Sequence, residues 1–205
     1  VFYALLAQQD STWTFQATLT DTTILGVKIE ADQFKALGPI LLLLLIPLWQ
    51  KIVYPCLQRC DIHLTSLECV FIGALFASLS FVCSGFLQIF IVSDLTVRRS
   101  ILWQFPQFLF IMIAEMLISV PALKYAYTNA PMSMRCVLTA IFFINNALGN
   151  LLVVVLTQLR FFNSTSMQFF FYASLMLMAA ILIKILSDRN HVESDDEVSD
   201  VQDVE

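Results

Sequence analysis

The chain has 205 residues, 59% of them hydrophobic and only 13% charged, with a mean hydropathy of +0.79 and a formal net charge of −5. A water-soluble globular domain carries about 25% charged residues, so this composition excludes that class and points to a membrane protein. The negative balance does not indicate a basic partner, because the last thirteen residues, ESDDEVSDVQDVE, hold seven Asp and Glu and no Lys or Arg, and the rest of the chain is net positive.

In chain order, VFYALLAQ enters hydrophobic sequence with no hydrophilic lead and no signal-peptide pattern, so 1–17 reads as an interrupted span whose start is cut. Apolar runs follow at 36–54, 67–92, 101–123, 136–157 and 168–186. About 20 residues cross the hydrocarbon of a bilayer, so five of these runs are complete spans. They lack the ten-residue alternation of barrel strands, and backbone groups in lipid must bond within their own segment, which makes them helices. The expected architecture is all-α: a six-helix membrane bundle over 1–186 with its first helix truncated, then an acidic tail over 187–205. That tail is like-charged and lacks aromatic residues, so it is expected to be disordered and solvated. Ser194, within SDDE, is a candidate phosphate acceptor.

Cys56, Cys60, Cys69, Cys83 and Cys136 form no C-x-x-C pair, and His63 and His191 have no ligand-like spacing to them. No metal site or cofactor is expected, and the cysteines read as small apolar fillers. Lys and Arg divide almost evenly between the two sides and fix no orientation. The glycosylation sequon NST at Asn163, between the last two spans, would put its loop outside and the acidic tail in the cytoplasm.

Two spans carry aligned polar residues. At about 100° per residue, Gln104, Gln107, Glu115 and Ser119 fall within roughly a 120° sector, and Thr139, Asn146, Asn150 and Thr157 within roughly 40°. Such stripes face a partner helix or a wet cavity, and the Asn/Thr stripe fits interhelical hydrogen bonding and pocket lining equally. Glu115 is more demanding. An ionised side chain at bilayer depth costs at least ~2.5 kcal/mol on insertion scales, and no Lys or Arg sits at matching depth along the six segments. Its partner is expected to be a proton, a substrate amine, or a basic residue elsewhere. Pro39, Pro47, Pro106 and Pro121 lie within or at the ends of spans, where they break the backbone ladder and bend helices.

These motifs resemble one family, the proton-coupled oligopeptide transporters of the major facilitator superfamily. The family pattern W-Q-x-P-Q-[YF], A/G-E, S-[IV] stands here as Trp103-Gln104-Phe105-Pro106-Gln107-Phe108, Glu115 and Ser119-Val120. YAYTNAPMSMR is similar to the pattern that follows it, and Gly149-Asn150 to the G-N of the eleventh helix. Upstream, ALLAQQDSTWTFQAT resembles the seventh helix, and ADQFKALGPILLLLLIPLW followed by YP resembles the eighth. The resemblance runs in order from about Phe2 to Leu156. It implies helices seven to twelve of an animal-type member, a multi-pass protein of the plasma membrane with a cytoplasmic carboxyl tail. The missing six-helix amino-terminal half would complete the cavity.

By that resemblance the function is proton-coupled symport of di- and tripeptides, with the proton as coupling ion and no enzymatic chemistry. Substrate-binding residues would be Glu115, Ser119, Gln8, Tyr3, Phe142, Asn146 and Asn150, with Glu115 receiving the peptide amine. Gate or coupling residues would be Trp13, Gln50 and Trp49. The departures matter as well: Tyr3, Ala7 and Thr12 stand where the family has Trp, Asp and Arg, and Gln50 replaces an Asp. Gly38 replaces a pocket Asn, Lys124 a Glu, and Ile141 a Trp. They leave room for a second reading, a transport-deficient membrane sensor or adaptor. An intramembrane hydrolase is excluded, since no Ser/His or paired-Asp arrangement lies at span depth.

Overall fold

The computed structural model describes residues 2–7, 11–24, 27–28, 30–53, 55, 59, 65–93, 99–128, 131, 134–158 and 164–202. The expectations for Gln8, Asn163, Cys56, Cys60 and His63 lie outside the described residues, as does the side chain of Ser194.

The interrupted first span is two short helices, α1 (Phe2–Leu6) and α2 (Thr12–Thr18). Two-residue strands β1 (Thr23–Ile24) and β2 (Val27–Lys28) pair antiparallel. Beyond them, α3 (Ala31–Phe34) opens with a reciprocal cap in which the Glu30 backbone N–H donates to Gln33 Oε1 at 3.2 Å. Next comes α4 (Leu37–Leu48), which runs into a π-helical turn at Trp49–Val53 just after Pro47. Proline supplies no N–H to the ladder, and the wider turn re-pairs the backbone around that gap.

The central helix is α5 (Ser66–Ser93), started by a capping box: Glu68 N–H donates to Thr65 Oγ1 at 3.3 Å, and Thr65 N–H to Glu68 Oε2 at 2.8 Å. A 3-10 turn at Ile101–Gln104 leads into α6 (Phe105–Thr128). The remaining helices are α7 (Arg135–Gln158) and α8 (Thr165–Gln202).

Helix α5 is gripped between α6 and α8, and small residues let it be. A Cβ on Gly73 would lie 2.7 Å from Ile118 Cγ1 and 3.1 Å from the Ala114 carbonyl oxygen. Ala74, Ala77, Ser80 and Ser84 are buried on the same helix. Water supplies little driving force for contact between helices in lipid, so close backbone approach and hydroxyl-to-carbonyl bonds do that work. Ser78 donates to the Ala173 carbonyl at 3.0 Å and Ser80 to the Gln107 carbonyl at 2.8 Å. The outer surface is the reverse of a soluble protein's, with Leu43, Leu44, Phe143 and Met178 all more than 60% exposed.

Among the described residues, four helices are long and apolar enough to cross a membrane: Ala31–Val53, Ser66–Ser93, Ile101–Lys124 and Thr165–Ser187. They overlap four of the five complete spans expected; the fifth, 136–157, falls on α7, which is 24 residues long and is not among the four. The protein is an all-α membrane-embedded bundle. The helical backbone assigned to α8 runs on to Gln202.

Candidate functional site

Glu115 and Ser119 stand four residues apart on α6, so both side chains lie on one side of that helix. Helix α4 runs alongside, with Gly38 buried. Beside these two helices is a cavity of about 430 Å³, lined by Asp32, Lys35, Ala36, Pro39 and Leu42 from α3, α4 and the link between them, and by Met112 and Glu115 from α6. Glu115 is half-buried, while Asp32 and Lys35 are exposed. Two carboxylates and one ammonium thus face a space large enough for a small solute, an arrangement suited to a compact ligand that itself carries charge.

Lys35 lines the same cavity as Glu115. Asp32 and Lys35 were not anticipated as lining residues. The signal lay in charges next to the Gly38-Pro39 start of a span, but the pairing of α4 with α6 is what gives it meaning.

Tyr3 ties three helices together near this site. Its hydroxyl lies 3.2 Å from Ser119 Oγ on α6, and either group can be the donor. Its ring meets Phe142 of α7 edge-on, with centroids 5.4 Å apart. Helix α1 can come this close to α7 only because position 149 is glycine, since a Cβ there would stand 2.8 Å from the Ala4 backbone nitrogen and 3.0 Å from the Tyr3 carbonyl carbon. Tyr3, Ser119 and Phe142, anticipated as substrate contacts, are therefore brought together with one another.

Other anticipated residues are not gathered here. Asn150 Nδ2 donates to Asn146 Oδ1 at 3.3 Å on α7, and neither lines the cavity. Thr139 Oγ1 donates to the Arg135 carbonyl at 3.0 Å and lies 2.8 Å from the Tyr127 hydroxyl. Trp13 is buried in the core against Phe81 and Phe108. Trp49 is half-buried and Gln50 exposed in the π-helical turn, away from the cavity. The polar sector of α6 also splits: Gln104 and Gln107 are fully buried, while Glu115 faces the cavity.

A family model described as the POT family matches residues 1–185. The chain belongs to the POT family. Among curated relatives, Peptide transporter family 1 of Drosophila melanogaster is 44% identical over 88 residues, which is 43% of this chain and 12% of that protein. Solute carrier family 15 member 1 of Oryctolagus cuniculus is 38% identical over 97 residues, 47% of this chain and 14% of that protein. Probable peptide transporter ptr2 of Schizosaccharomyces pombe is 30% identical over 141 residues, 63% of this chain and 23% of that protein. Among solved structures, the POT family transporter PepTSo superposes with a TM-score of 0.80 at 27% identity, covering 93% of this chain and 39% of that one. An auto-inhibited POT family peptide transporter gives 0.78 at 26% identity, covering 92% and 38%. The chain thus spans less than a quarter of the length of these curated relatives and under two-fifths of the solved transporters.

Proposed function

We propose that the transporter to which this POT-family bundle belongs carries di- and tripeptides across the plasma membrane together with protons. In this reading the bundle supplies one wall of a central cavity and a second six-helix bundle supplies the other. Glu115 receives the peptide's protonated amine, Ser119 and Tyr3 set the wall beside it, and Phe142 stands behind Tyr3 against a peptide side chain. No bond is made or broken in the substrate, and the acidic carboxyl end faces the cytoplasm.

The observation that carries this reading is the shared cavity: Glu115, at a depth where an unpartnered carboxylate is costly, opens onto a space of about 430 Å³ in a bundle of this family. A cationic amine is the natural occupant beside such a carboxylate. A second reading, a sensor or adaptor that binds without turnover, is favoured by buried Gly38, which leaves no side-chain amide where the family pattern has Asn. Counterflow of labelled dipeptide in vesicles containing the full-length protein separates the two. Exchange across the membrane supports the carrier, and saturable binding without exchange supports the sensor.

A further inference from the structure

The cavity beside α4 and α6 carries charge at two places on its wall. Asp32 and Lys35 line it from the start of the span Ala31–Val53, Glu115 lines it from α6, and Ala36, Pro39, Leu42 and Met112 supply apolar lining. Among the described residues on that wall, Lys35 carries the one positive charge. Helices α4 and α6 are separated in the chain by the single crossing of α5, so both traverse the bilayer in the same direction. Lys35 is the fifth residue of its span, and Glu115 the fifteenth of Ile101–Lys124. The lysine therefore meets the cavity near the face where both spans begin, and the glutamate about ten residues farther along.

At 1.5 Å per residue that offset is about 15 Å of helix axis. The cavity's lining along the first of the two spans, from Asp32 to Leu42, covers the same length. A lysine's four-carbon stem reaches across roughly 5 Å of it, which leaves about 10 Å. An extended chain spans about 3.3–3.6 Å per residue, so a tripeptide reaches about 10 Å and a dipeptide about 7 Å. A peptide whose amine rests at Glu115 thus brings its terminal carboxylate to Lys35 when it has three residues, and stops short when it has two.

We propose that Lys35 is a specificity-determining residue that binds the terminal carboxylate of a tripeptide, so that the cavity distinguishes three-residue from two-residue zwitterions. The assignment rests on the reading in which Glu115 holds the peptide amine. A carboxylate that leaves water needs a cation or hydrogen-bond donors in place of its hydration, and a lysine ammonium supplies both, with three rotatable N–H donors. The uncharged wall of Ala36, Pro39, Leu42 and Met112 suits the body of a peptide with small apolar side chains. Asp32 opposes a carboxylate on the same wall, and Lys35 is exposed, so the preference amounts to a few-fold.

The test is displacement of radiolabelled dialanine from the full-length protein in lipid vesicles by unlabelled trialanine, trialanine amide and dialanine. Trialanine and its amide present the same amine to Glu115 and differ only in the carboxylate. Lys35→Gln should raise the trialanine concentration needed for half-displacement about two- to fivefold, the range of an exposed ion pair, without weakening the amide or dialanine. Lys35→Arg, which keeps the charge, should keep the preference for trialanine over its amide. A loss for dialanine or for the amide as large as that for trialanine, which a folding defect would also give, or no loss for trialanine, would overturn the assignment and leave the peptide reading intact. Absence of saturable dialanine binding to the unchanged protein would instead overturn the peptide reading, and the assignment with it.

Discussion

The Tyr3 hydroxyl and Ser119 Oγ lie 3.2 Å apart although 116 residues separate them in sequence. Ser119 is one helical turn from Glu115, so the first helix of the chain is bonded to the helix that carries the cavity's carboxylate. The bond and the ring should be separable. Tyr3→Phe removes the hydroxyl and keeps the contact with Phe142, and hydrogen bonds between helices in membranes average about 0.6 kcal/mol. Tyr3→Ala also deletes the ring and should cost several times more. Thermal unfolding of the detergent-solubilised full-length protein measures both; equal losses would show that the ring contributes nothing to holding α1.

Gly149→Ala should be destabilising by about 1–3 kcal/mol, because the new methyl would press on the Ala4 backbone nitrogen at 2.8 Å, and backbone yields less readily than a flexible side chain. Asn150→Ala, at the exposed neighbouring position, should cost less than about 1 kcal/mol. A thermal midpoint for Gly149→Ala equal to that of the unchanged protein would mean that α1 does not sit on α7 as described.

Lys35 places a positive charge on a cavity that also carries Asp32 and Glu115. Replacing it by Gln makes the field there more negative. In the transporter reading, uptake of lysine-containing dipeptides should then rise relative to aspartate-containing ones by a few-fold, since a charge acts on another over several ångströms even through a wet cavity. Competition between the two peptide classes for uptake reads this directly. An unchanged ratio would remove Lys35 from the substrate's surroundings.

How far the sequence discloses this depends on which residues act locally. The apolar runs predict the long helices because a bilayer demands that length, and the cap at Thr65-Ser-Leu-Glu68 is readable as it stands. Glu115 is conspicuous because its cost is local. Gln16 is not, since one amide in an interrupted span acquires meaning only when α5 and α6 supply Ser84, Gln88, Gln104 and Gln107 around it. Lys35 is hidden for the same reason, as its place on the cavity that Glu115 also lines depends on α4 packing beside α6. The Asn146/Asn150 pair had two readings from spacing alone, and the structure shows the two side chains bonded to each other and not lining the cavity.

Glu115→Gln in the full-length protein tests the central claim most directly, because it keeps the shape and hydrogen-bonding reach of the side chain while removing its charge and its titratable proton. Uptake of a free-amine dipeptide and of its N-acetylated analogue should be compared across pH, at matched surface expression. If Glu115 holds the peptide amine, the variant loses free-amine uptake disproportionately, and the pH dependence of transport changes because one titrating carboxylate is gone. Equal losses for the two substrates with an unchanged pH profile would contradict the amine-site assignment.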